Sequence, residues 1–215
     1  MRLSEVAWGI DWRSRTAERT SGQTQTVFQA LPRWVGDCGF NLSGRAAQRW
    51  RSIHWAARGR AGIYRLPMVD PLGVDLDALF NAGALNRVRT FSTGATFSTG
   101  AGFSPLPLVP AFEAAAAGAE LVRVSVADPR LVPVVGQIIS ANDWPMGVTS
   151  VSDDGGGVYS LGVEMPLRAA ISAGAPVSLV AVGLFEIDAD DASATAYDLG
   201  RMMRPKIAFR EVLNR

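Results

Sequence analysis

The amino-acid sequence predicts a mainly β protein of the α+β class, a β-sandwich or barrel with one α-helix near residues 44–58. Three observations predict this fold. Apolar residues alternate at period two near both ends of the chain, for example over residues 6–12. A spacing of three and four residues, typical of a helix, begins after Ser43. Two alternating segments flank the glycine-rich stretch 153–157, which indicates a hairpin.

The first 70 residues contain four predicted strands and the helix. The strands cover residues 6–12, 24–30, 34–40 and 63–68. Ser43 is placed to cap the helix, and Gly59 is placed to end it. The apolar stripe of the helix consists of Ala46, Ala47, Trp50, Ile53, His54 and Ala57.

Strand parity and helical period together predict one apolar cluster in this part of the chain. Its members are Trp8, Trp12, Trp34, Cys38, Phe40, Trp50 and Ile53.

Residues 73–118 differ in kind and are predicted to form an inserted arm within a single structural domain that spans residues 1–215. Phe91, Phe97 and Phe103 recur every six residues among Ser, Thr, Gly and Ala, and an extended chain puts them on one side. Two interpretations stay open: the phenylalanines pack against their own domain, or they dock on a neighbouring subunit. Residues 111–117 are alanine-rich and are read as a short helix.

The second half of the chain returns to strand patterning. Alternation predicts a strand at 121–126, a hairpin formed by 146–151 and 158–165, and a last strand at 204–213. The apolar run 177–187 is interpreted as one long strand in the centre of a sheet.

Charge is distributed unevenly along a chain whose net charge is only +1. Residues 1–70 and 201–215 are basic, and residues 71–200 are acidic. This pattern fits either two solvated faces or oppositely charged surfaces that meet between subunits. Near-neutrality argues against a dedicated nucleic-acid binder, and no apolar run reaches the ~18 residues of a membrane span.

The residues that carry chemistry are few, so we predict no catalytic residues, no cofactor and no metal. One cysteine excludes a disulfide framework, and one histidine is too few for a zinc site of Cys and His. His54 is predicted to be a core or boundary histidine, and Cys38 a small buried hydrophobe. The aspartates at 75–77 and 188–191 lack the glycine and closing glutamate of an EF-hand loop.

Two passages carry a family resemblance. Residues 55–71 resemble the helix, R-G-R-x-x-x-[FY]-R and D-P turn of small tail proteins from long-tailed bacteriophages and gene-transfer particles. Residues 118–124 (GAELVRV), 163–168 (VEMPLR) and 174–177 (GAPV) are similar to the pattern G-A-x-x-V-x-V, P-L-R and G-x-x-V of minor tail and tail-tip proteins. The named class that this chain resembles most is the distal tail protein.

The resemblance implies a β-sandwich related to the tail-tube subunit and a structural role without enzymatic activity. It implies a homo-oligomeric ring, a hexamer, that joins the tail tube protein to the tail-tip hub protein of the baseplate. The tape measure protein would be a further partner, and DNA would pass through the lumen. The protein would be located in the virion, and in the host cytoplasm during assembly.

The residues that we expect at the subunit interface are Phe91, Phe97, Phe103, Arg45 and Arg49. The acidic stretch 71–200, rather than the arginines of the helix, is expected to face the lumen, since positive charge there would retard DNA. Other possibilities are another minor tail or neck connector protein, a small nucleic-acid-binding module, or a hydrolase that uses His54.

Overall fold

The computed structural model describes residues 2–18, 24–27, 31–70, 73, 107–188 and 202–214. The described chain is mainly β, with two six-stranded antiparallel sheets, a two-stranded hairpin and one α-helix. The predicted fold class is therefore confirmed. Residue contacts divide the chain into two compact units: unit 1 is 1–66 with 184–215, and unit 2 is 67–183.

The elements lie in the following order. They are β1 (Arg2–Asp11), β2 (Arg15–Glu18), β3 (Thr24–Val27), β4 (Arg33–Ser43), α1 (Gly44–Ala57), β5 (Tyr64–Pro67), β6 (Leu108–Pro110), β7 (Leu121–Ser125), β8 (Ile138–Ala141), β9 (Trp144–Gly155), β10 (Val158–Glu164), β11 (Pro176–Ser178), β12 (Val182–Ile187), β13 (Met202–Met203) and β14 (Lys206–Glu211). Short 3-10 turns occupy Gly59–Ala61 and Pro129–Leu131. No helix in these described ranges is long and apolar enough to cross a membrane.

The sheet of unit 1 is organised around β4. Its strand order is β1-β4-β14-β12-β5, and β13 pairs with the end of β4. Alternate residues of β4 are buried, among them Trp34, Cys38 and Phe40, as the sequence pattern predicts. Gly36 lies opposite Trp8 in the register, and a side chain at Gly36 would collide with the Trp8 ring. Glycine at this position thus lets the indole lie across the strand.

Unit 2 is a sheet that closes on itself. Its strand order is β6-β11-β8-β9-β10-β7, and Ala111, directly after β6, pairs with Val124 of β7. The Phe112 N–H donates to the Arg123 carbonyl at 2.8 Å and extends this closing contact. Fifteen buried apolar residues fill the interior, and Gln137 and Ser140 are buried as well. The predicted hairpin is confirmed as β9 and β10, which are joined at Gly155–Gly157.

Two sequence predictions in unit 2 are wrong. Residues 111–117 form no helix; Ala111 and Ala115 make bridges to Val124 and Ile171, because tertiary strand pairing outweighs the helix propensity of alanine. Residues 107–118 of the predicted arm are therefore part of the barrel. The rest of the arm lies outside the described residues, and the prediction of one domain over 1–215 stays a prediction.

The apolar run 177–187 is two strands, not one. β11 pairs with β6 and β8, whereas β12 pairs with β14 of the other sheet. Between them the Ser178 hydroxyl donates to the Val180 carbonyl, and the Ser140 hydroxyl accepts from the Val182 N–H. The apolar pattern hides this break because the residues on both sides of it are buried.

The predicted apolar cluster of unit 1 is correct in its centre and wrong at its margins. Trp12 is 40% exposed, since it follows the last residue of β1, where strand parity no longer applies. Ile53 is 47% exposed, because the buried stripe of α1 passes through Ala47 and His54 instead. Trp50 is half-buried between these two positions.

Candidate functional site

The helix α1 is held against unit 1 by aromatic contacts along its inner face. The Phe40 and Trp50 ring centroids are 5.9 Å apart, and Trp50 stacks on His54 at 6.2 Å. The helix begins directly after β4, at Gly44 with φ of +49°. Ser43 occupies the predicted capping position, yet its side chain makes no capping hydrogen bond.

A groove of about 480 Å³ lies along this helix. It is lined by Arg45, Ala46, Arg49, Trp50 and Ile53. Arg45 and Arg49, predicted as interface residues, are thus brought together one helical turn apart. The sequence prediction placed both arginines off the apolar stripe, and both are exposed.

The charge at this groove is not balanced by the described residues. No ion pair or hydrogen bond joins Arg45 or Arg49 to any residue within the described ranges, and the first turn of α1 contains no acidic residue. Arg45 lies in that first turn, where the helix dipole disfavours a cation. The buried Trp50 Nε1 also finds no hydrogen-bond acceptor in the described structure. The groove therefore presents two arginine side chains suited to an anionic partner.

The far end of α1 carries the first motif of the family resemblance. Arg58 and Gly59 both have left-handed backbone angles, with φ of 54° and 65°, which ends the helix at Ala57. The Arg60 guanidinium then donates to the Asp188 carbonyl at the end of β12. The R-G-R residues thus form a helix stop and a link to the neighbouring strand.

His54 and Cys38 occupy the positions in the core that the sequence predicts. His54 is 2% exposed, and its Nδ1 has no hydrogen-bond partner among the described residues. A general base in a triad needs an orienting group at that nitrogen. Burial, and then the nearby Asp37 charge, raise the pKa of the Cys38 thiol to about 11. The thiol is therefore protonated at neutral pH, which does not suit a nucleophile.

The motifs in the second half of the chain are hydrogen-bonded to one another in unit 2. The Gly118 N–H donates to the Leu167 carbonyl at 2.6 Å, and the Leu167 N–H donates to the Ala119 carbonyl at 2.9 Å. The Gly174 N–H reaches the Ala111 carbonyl at 2.8 Å. Leu167 itself lies in the apolar core. The residues that carry the resemblance here are determinants of the barrel.

Two exposed glutamates of unit 2 were not predicted from the sequence. The Val163 N–H donates to the Glu120 carbonyl at 2.9 Å, so Glu120 lies beside the end of β10, where Glu164 follows Val163. Leu121, 54% exposed, pairs with Gly162 and therefore shares a face with Glu164, whereas Glu120 lies opposite Val163 on the other face. Forty-four positions separate the two glutamates in the sequence, and the pairing of β7 with β10 brings their backbones close but leaves the side chains on opposite faces.

Five other charged groups of unit 2 form ion pairs with one another. Arg123 pairs with Glu113 and Asp154, and Arg130 pairs with Asp128. Hydrogen bonds from the Arg130 side chain and backbone lower the pKa of Asp128 to about 2. Neither Glu120 nor Glu164 has an ion pair with a residue in the described ranges.

Some predicted features fall outside the described residues. Phe91, Phe97 and Phe103 are among them, as are Asp75, Asp77, Asp190 and Asp191. Within the described ranges, no three residues of His, Cys, Asp and Glu cluster in a way that could hold a metal ion.

Comparison with models of known protein families gives no match for this chain. No curated protein matches its sequence either.

Proposed function

We propose that this protein is a structural subunit of a phage-type tail that forms a ring at the distal end of the tail tube and joins the tube to the tip hub. The observation that carries the proposal is the position of the motif residues. Gly118, Ala119, Leu167 and Gly174 hydrogen-bond within unit 2, so the residues that resemble tail proteins build the scaffold itself. A match in scaffold residues is what a shared structural role requires.

The surface charges support a role in assembly. Unit 1 carries two exposed arginines without an acidic partner in the described chain, and unit 2 carries two exposed glutamates without a basic one. A ring closes by joining unlike surfaces of identical subunits around a rotation axis. The proposed ring is a hexamer that contacts the tail tube protein, the tip hub protein and the tape measure protein, with DNA passing through its lumen.

A nucleic-acid-binding module is the second candidate, and one observation favours it. Trp55 is 60% exposed, and the Arg51 guanidinium lies 4.6 Å from the centre of its ring. An exposed aromatic ring beside arginines can stack on a base. This candidate predicts binding of single-stranded DNA that weakens steeply with salt, whereas the ring predicts weak and nonspecific binding.

A hydrolase based on His54 is a third, weaker candidate. It predicts that His54→Ala abolishes an activity, whereas the structural role predicts only lower stability. His54 contributes its ring to the aromatic stack with Trp50, and we expect the substitution to lower the melting temperature alone.

The location of the protein in a particle tests the proposal. Gold-labelled antibody against this chain should bind one end of the tail in electron micrographs of particles from the source cells. The distal-ring assignment would be overturned if the antibody labelled the whole tube or the neck, or if it did not label the particles.

The aromatic arm gives a second test of assembly. Changing Phe91, Phe97 and Phe103 to Ser should reduce the oligomer mass and leave the melting temperature of the monomer unchanged, if the arm docks on a neighbour. An unchanged mass with a lower melting temperature would show that the arm packs on its own domain.

A further inference from the structure

We draw no further inference here: the strongest candidate, the groove along α1 that Arg45, Arg49, Trp50 and Ile53 line, carries nothing because every residue that lines it belongs to α1 itself and nothing in the described part of the chain shows what covers it.

Discussion

The two units of this protein bury their β-sheets in different ways. Unit 2 closes its sheet through Ala111 and Val124, and the polar side chains that it buries are hydrogen-bonded; the Gln137 Nε2, for example, donates to the Leu179 carbonyl at 2.7 Å. Among the described strands, the sheet of unit 1 stays open at β1 and β5, and the unit buries both Glu211 and His54. The Glu211 carboxylate accepts from the Trp34 N–H at 3.1 Å and so links β14 to β4. A closed sheet whose buried polar groups are hydrogen-bonded suits a scaffold, whereas the buried His54 Nδ1 of unit 1 has no hydrogen-bond partner among the described residues.

Glycine is also used differently in the two units. In unit 1, Gly36 provides room for an indole ring. In unit 2, Gly157 provides a left-handed turn with φ of +78°. The role of Gly36 depends on a neighbouring side chain, whereas the role of Gly157 depends on the backbone angle. Alanine should therefore destabilise the protein by a steric clash at Gly36 and by backbone strain at Gly157.

Removing the Phe185 ring should give the largest single effect. Phe185 is fully buried in unit 1, and its ring centroid lies 5.2 Å from that of Trp8. Phe185→Ala should lower the free energy of unfolding by about 3–5 kcal/mol, because it leaves a cavity and removes the aromatic contact. Urea unfolding followed by tryptophan fluorescence measures the change. Trp55→Ala is the exposed control and should cost less than ~1 kcal/mol.

The barrel core should tolerate truncation slightly better. Leu161 is fully buried in unit 2, and Leu161→Ala should cost about 2–5 kcal/mol. Val135→Ala, at a position 64% exposed, should be nearly neutral and serves as its control. A small effect at Leu161 would contradict the assignment of unit 2 as the rigid scaffold.

Replacing the turn glycine, Gly157, should give the next largest loss of stability. An alanine at Gly157 would adopt an unfavourable backbone angle and place its Cβ 2.9 Å from the Val126 carbonyl oxygen. We expect Gly157→Ala to cost about 1–3 kcal/mol. Gly9→Ala is the matched control, because nothing lies within 4 Å of its added Cβ and its backbone angle is ordinary. Equal effects at the two positions would show that the turn does not require glycine.

The smallest expected effect is a loss of stability at alkaline pH, and its cause is a buried thiol in unit 1. The pKa of Cys38 rises from 9.0 to about 11 on folding, so between these values the unfolded chain releases a proton that the folded chain keeps. The free energy of unfolding should therefore decrease as the pH rises from 9 to 11. Cys38→Ala should remove that part of the slope, as measured by urea titrations at fixed pH. An unchanged slope in the variant would rule out this cause.

The hydrophobic periodicity predicted the local elements well, because a strand or helix with one buried face repeats apolar residues at its own period. The alternation over β4 and β14 and the helix at Gly44–Ala57 lie where the pattern predicts them. It failed where pairing between distant segments decides the structure. The run 177–187 looks continuous because its residues are apolar on both sides of the break, and the partner strands that separate β11 from β12 lie far away in the chain.

The candidate site was predicted only in part for the same reason. Arg45 and Arg49 follow from helical spacing, which is a local property. The position of Glu120 beside β10 follows only from the pairing of β7 with β10, and no pattern in either segment indicates it. The exposure of Ile53 depends on which arc of α1 faces the sheet, and Ala47 and His54 define that arc.

The mass of the purified protein in solution tests the central claim most directly. Native mass spectrometry of the chain, or of the chain with its tail partners, should show a closed oligomer, with a hexamer at six times the 22.9 kDa chain mass. A chain that remains at 22.9 kDa across all concentrations, alone and with the tube and hub proteins, would contradict the account.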